Sequence, residues 1–160
     1  EKNRNFKNLL KAQKEFGWNL LLNENDTISV DGNKIKVIGV ENWASSRFQQ
    51  YGDLDKAYNG LNNEDFKILM THNPSHWNAK VTDAYNDIDL TLSGHTHGLQ
   101  YGIDIGDFRV SPVRLAYKQW ADLYKLNKQY IYVNRGFGFM GYPGRVGILP
   151  EITILELKKS

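Results

Sequence analysis

Apolar side chains first recur at helical spacing. Phe6, Leu9, Leu10 and Phe16, with Gln13 on the same stripe, make residues 4–16 suit an amphipathic helix, and Gly17 stands where such a helix closes. Arg4 and Lys7 in its opening turn oppose the helix dipole, and its polar face is basic. The period then shortens. Trp18–Leu22, Thr27–Val30 and Lys34–Val40 read as strands, and Asp31-Gly32-Asn33 supplies residues that tolerate the positive φ of a hairpin turn. Asp53–Leu61 suits a short helix, and a loop or short helix follows Pro74. Phe66–Thr71 and Ile88–Leu92 are short apolar strands. Alternation returns at Gln129–Val133 and Glu151–Leu157, on either side of a glycine-rich stretch from Arg135 to Gly147. No repeat, linker or low-complexity segment interrupts the pattern, so residues 1–160 are expected to form one unit of α/β or α+β class.

Composition narrows the chemistry. With 41% hydrophobic and 24% charged residues the chain is an ordinary globular sequence rather than a disordered one. Its 20 Lys+Arg and 18 Asp+Glu are interspersed, which gives a net charge of +2 and no basic face for nucleic acid. There are no cysteines, so disulfide scaffolds, thiolate metal sites and cysteine nucleophiles are excluded, and any metal must be held by His, carboxylate or amide groups. No apolar run approaches the roughly 20 residues that span a bilayer, so the chain is expected to be soluble and not itself inserted in a membrane.

Three of the four histidines, His72, His95 and His97, lie just past the ends of expected strands, where α/β sheets place ligand and catalytic groups. In an extended segment His95 and His97 would face the same side, with Gly94 and Gly98 leaving room beside them. Imidazole suits zinc and similar ions. His76, between Pro74 and Trp77, reads as structural. Arg135 and Arg145 are candidate bidentate phosphate donors, against the simpler reading of arginines bonded to loop carbonyls. Asp83, Asp87 and Asp89 read as solvated turn residues. Trp43, Phe48, Tyr51, Trp120 and Tyr124 read as packing rather than as a base-stacking platform.

Thr71-His72-Asn73-Pro74, followed by Gly94-His95-Thr96-His97-Gly98, resembles the calcineurin-like metallophosphoesterases. Asn134-Arg135-Gly136-Phe137-Gly138, Pro143-Gly144-Arg145 and Pro150-Glu151-Ile152 resemble the end of that family's bacterial, often membrane-linked branch. The resemblance implies a two-sheet αββα sandwich and two divalent ions of the Mn, Fe, Zn or Ni class that activate a hydroxide against a phosphomonoester or phosphodiester. It assigns His72 and His95 to one ion and His97 to the other. It also requires an Asp-x-His, a Gly-Asp-x-x-Asp and a Gly-Asn-His-Asp/Glu motif, and the sequence holds none of these. Gly52-Asp53-Leu54-Asp55 fails at Lys56, and Leu99-Gln100 stands where Gly-Gln is usual.

The expectation is therefore the C-terminal half of such a sandwich, with no catalytic residue of its own, because the general-acid histidine belongs to the other half. Alone it would hold at most one ion at partial occupancy and turn over little or nothing. Its exposed sheet would be covered by the missing N-terminal half or by a second copy, and the bacterial parent would carry any membrane anchor. The alternatives are a non-catalytic metal-binding or assembly domain and, less compatibly with the tail motifs, a mononuclear histidine-based hydrolase of another fold.

Overall fold

A computed structural model describes residues 2–44, 49–62, 64–106 and 108–158; Phe48 lies outside the described residues. The helix α1 (Lys2–Glu15) forms as expected and ends at Gly17, whose φ of +77° only glycine adopts readily. The strands β1 (Glu24–Val30) and β2 (Asn33–Gly39) follow, joined through Asp31 and Gly32, both at positive φ, the geometry that matches strand twist in a two-residue hairpin. After α2 (Leu54–Tyr58) come β3 (Phe66–Met70), a π-turn at Trp77–Val81 running into α3 (Thr82–Ala84), and β4 (Leu90–Ser93). The short hairpin β5 (Ile103–Ile105) and β6 (Phe108–Val110) precedes the antiparallel pair β7 (Asp122–Leu126) and β8 (Gln129–Val133).

The main sheet has six strands in the order β1-β2-β3-β4-β8-β7, and β5-β6 makes a second, small sheet, so the class is mixed α/β. The four central strands are parallel and both edges are antiparallel. One face carries Ile38, Leu69, Ile131 and Val133, which bury against Leu54 and Ala57 of α2 and against Trp77, Val81, Tyr85 and Ile88. Lys67 is also on this face and fully buried; its ammonium meets Asp87 at 3.0 Å and the Asp65 carbonyl at 3.1 Å, while Tyr58 donates to the same Asp87. Asp89 accepts from the Lys67 backbone at 2.8 Å. Asp87 and Asp89 are thus tied into the start of the sheet rather than solvated. On the opposite face, strand register aligns Ile28, Ile35, Val37, Phe66, Ile68, Met70, Leu92, Tyr132 and Leu123. Ile28, Phe66, Met70 and Leu123 of that row are exposed.

Two strands expected from the sequence do not form. Trp18–Leu22 is irregular: it crosses β2 at Gly39, where a Cβ would stand 2.7 Å from the Leu21 carbonyl oxygen. Asn23 then fastens this segment. It is buried at a φ of +57°, donates to Glu41 (2.8 Å) and the Tyr51 carbonyl (2.9 Å), and accepts from the Glu41 (3.0 Å) and Asp53 (2.8 Å) amides. Glu151–Leu157 alternates like a strand but finds no ladder among the described residues, and an isolated strand is not stable in water. Ile152 and Ile154 there are 84% and 93% exposed. The first residues of this segment are fixed: Glu151 accepts from Arg135 Nε at 2.7 Å and from the Tyr132 hydroxyl, and Thr153 accepts from Asn134 Nδ2 at 2.9 Å. Arg135 also pairs with Asp104, which accepts from Arg109 at 2.8 Å.

Two outcomes follow for stability. Asn23→Ala deletes four partly buried hydrogen bonds and is expected to cost about 2–4 kcal/mol in urea unfolding. Burial alone would raise the carboxyls of Asp104 and Glu151, but their hydrogen-bond partners outweigh it and hold both below their ordinary values. A depressed folded value means stability that is complete above the ordinary range of 3.8 to 4.5 and is lost as pH falls through the folded values. Unfolding free energy measured from neutral pH downward is expected to drop below that range, and to drop less steeply in Glu151→Gln.

Candidate functional site

β3, β4 and β8 run parallel, so their C-terminal ends open on one rim. His72 follows β3, His95 and His97 follow β4, and Arg135 follows β8. Backbone bonds stitch these loops together: Gly94 donates to the His72 carbonyl at 3.1 Å and Asn134 to the Ser93 carbonyl at 2.8 Å. His72 Nε2 and His95 Nδ1 stand 3.2 Å apart with their rings at 78°. His97 lies near enough that its charge opposes protonation of both. Burial, with that mutual repulsion, lowers the pKa of His72 and His95, and burial with the nearby Arg145 lowers that of His97. All three are therefore neutral at neutral pH, the form that offers a lone pair.

The segment from His95 to His97 follows a route other than the extended one expected. His95 and His97 have φ of 70° and 50°, and Gly98, Leu99 and Gln100 are also left-handed, so the chain coils into a tight turn after Gly94. Thr96 anchors it by donating to the Trp120 carbonyl at 2.7 Å, and the Ser111 hydroxyl donates to the Gly98 carbonyl at 2.7 Å. Gly98 is required twice over, by its φ and by Ile148, which would stand 2.9 Å from a Cβ; Gly94 has no such restriction, since a Cβ there makes only ordinary contacts. The Gln100 amide donates to the Tyr142 (2.7 Å) and Gly144 (2.6 Å) carbonyls and accepts from Met140, clamping the glycine-rich stretch beside the turn.

Of the other candidates, His76, Asp53, Asp55 and Arg135 make structural contacts. His76 is fully buried, stacks on Trp43 with ring centroids 4.8 Å apart, and has Nδ1 3.0 Å from the Thr71 hydroxyl; burial pushes its pKa down to about 4. Asp53 caps α2 and Asp55 pairs with Lys80 at 2.6 Å, which accounts for the Gly52–Asp55 run without chemistry. Arg135 spends its guanidinium on Asp104 and Glu151. Arg145 donates to the carbonyls of Arg135 (2.9 Å), Gly138 (2.8 Å) and His97 (3.4 Å), which places it beside the imidazoles. Trp120 packs in a second small core with Val113, Ala121 and Ile148; Tyr124 packs on the main core, and Tyr51 is exposed. Sequence reading missed Tyr117, whose hydroxyl lies 2.8 Å from His95 Nε2; it sits in a loop without periodicity and no local pattern marks it.

The spacing of His72 and His95 fits two positions around a single ion. Two nitrogens bound to one ion at about 2.0–2.1 Å stand roughly 2.9–3.4 Å apart for angles between octahedral and tetrahedral, and the His72–His95 separation of 3.2 Å falls inside that range. The buried Nδ1 of His97 has no hydrogen-bond partner. Yet among the described residues no three His, Asp or Glu side chains group so as to hold an ion, and two adjacent divalent charges need carboxylate that this rim does not supply. No helix among the described residues is long and apolar enough to cross a membrane.

Comparison with known proteins agrees with the rim. The family model of calcineurin-like phosphoesterases matches residues 1–99, which include all three rim histidines. The chain is 32% identical over 146 residues, 90% of its length, to the uncharacterized metallophosphoesterase YkuE of Bacillus subtilis, of which it covers 48%. It is 34% identical over 117 residues to a transmembrane protein with metallophosphoesterase domain from Danio rerio, covering 71% of this chain and 25% of that one. An uncharacterized metallophosphoesterase of Campylobacter jejuni is 36% identical over 91% of this chain and 36% of its own. The chain thus spans about half, or less, of the length of these relatives. No solved structure matches it. By the family match and by these relatives, the chain belongs to the calcineurin-like phosphoesterase family.

Proposed function

We propose that the whole protein hydrolyses phosphoesters with the help of divalent cations, and that this chain contributes one half of the site. The observation that carries the reading is the pair of imidazole nitrogens 3.2 Å apart on the rim of three parallel strands. Cations held there would supply Lewis-acid charge to the phosphate oxygens. His72 and His95 bind one ion as neutral nitrogen donors, and His97 serves a second whose remaining ligands are carboxylates from another part of the protein. Arg145, beside His97, is the phosphate-facing donor; Arg135, neutralised by Asp104 and Glu151, holds Arg145 in place through its carbonyl. The apolar sheet face is covered by the rest of the protein, which completes a two-sheet sandwich. The absence of the three carboxylate-bearing motifs from the sequence supports this division of labour, and so does the chain's share of its relatives' length. These 160 residues alone are accordingly near-inactive.

Calorimetric titration with zinc is expected to show one site on this chain, weakened tenfold or more by His72→Ala and by His95→Ala; a double substitution that keeps full affinity defeats the assignment. In the full-length gene product, EDTA and His95→Ala should each abolish turnover of p-nitrophenyl phosphate or its bis ester. Arg145→Ala should raise KM several-fold with a smaller effect on kcat, the signature of lost ground-state binding.

A further inference from the structure

Tyr117 reaches the rim from the loop after the short 3-10 turn Pro112–Leu115, beyond residues 1–99 that the family model matches. Its amide donates to the Val113 carbonyl at 2.9 Å and its ring packs on the small core of Val113, Trp120, Ala121 and Ile148, so the side chain is fixed independently of the histidines. The ring meets His95 edge-on at 76°, with centroids 5.4 Å apart and the hydroxyl 2.8 Å from Nε2.

A neutral imidazole carries one N–H and one lone pair, so what happens at Nε2 decides what Nδ1 presents. If the Tyr117 hydroxyl accepts from Nε2–H, the Nδ1 lone pair faces His72. With the opposite polarity the hydroxyl donates to Nε2, Nδ1 carries the proton, and the His72 side of the ring has nothing to give an ion. We infer that Tyr117 is a positioning residue that holds His95 as the Nε2–H tautomer and so commits Nδ1 to the side where His72 Nε2 stands. The inference rests on the reading of His72 and His95 as a ligand pair. It adds the group that selects the nitrogen, the kind of outer partner that typically orients a metal-binding histidine and tunes its affinity.

The test is the long-range 1H–15N correlation spectrum of the uniformly labelled chain at about pH 8, where the imidazoles are neutral. The wild-type spectrum should show His95 as a single Nε2–H tautomer. Tyr117→Phe keeps the ring and removes the oxygen; it should turn His95 into a mixture of tautomers, leave the buried His76 pattern unchanged, and lower zinc affinity about 10- to 100-fold. An Nδ1–H tautomer in the wild type overturns the inference without recourse to any variant, as does a His95 pattern that Tyr117→Phe leaves unaltered. Expected tautomers with no zinc binding by the wild-type chain would sink the ligand-pair reading alone, leaving the action of Tyr117 on His95 in place.

Discussion

Parallel pairing of β3, β4 and β8 is the constraint on which the rest of the molecule depends. Parallel strands bring their C-terminal ends to one edge, so segments that are distant in sequence deliver His72, His95, His97 and Arg135 to the same rim. The pairing is secured at the opposite end, where Lys67 is buried with its charge met by Asp87 and its backbone amide met by Asp89. A buried ammonium without that partner would cost several kcal/mol. The two polar clusters thus divide the sheet between them, one holding the strands in register and the other exposing nitrogen donors.

The rim itself is strained. Five residues of the run from His95 to Gln100 are left-handed, and four of them are not glycine, each at a cost of about 1–2 kcal/mol. What offsets this is a shell of side-chain to backbone bonds from Thr96, Ser111 and Gln100. Strain held in place by surrounding bonds is typical of segments that present functional groups. Leu99 belongs to this run, so the departure from glycine at that position carries a conformational cost as well as extra bulk.

Much of this was legible in the sequence. Short apolar runs leading into His72 and ending before His95 located the central strands, and the Asp31-Gly32-Asn33 turn located the hairpin, because both signals are local. That His72, His95 and His97 follow strand ends was legible for the same reason. What was not legible depends on partners far away in the chain. Glu151–Leu157 has a strand's alternation, yet alternation describes a face and not a neighbour. Lys67 sits in an apolar run with nothing in its immediate sequence to say that its charge is buried. Tyr117 meets His95 only because two loops fold towards each other. The extended backbone expected from His95 to His97 is replaced by left-handed residues, because the loop is shaped by bonds to Trp120 and Ser111 far away in the chain.

The unladdered stretch that begins at Glu151 has a consequence for the life of the polypeptide. Its backbone amides past Glu151 lack ladder partners, and its isoleucines stand in water. Such a stretch is the preferred site for proteolytic nicking and for adventitious strand addition by other chains. Sealing it against a complementary strand would remove both liabilities at once.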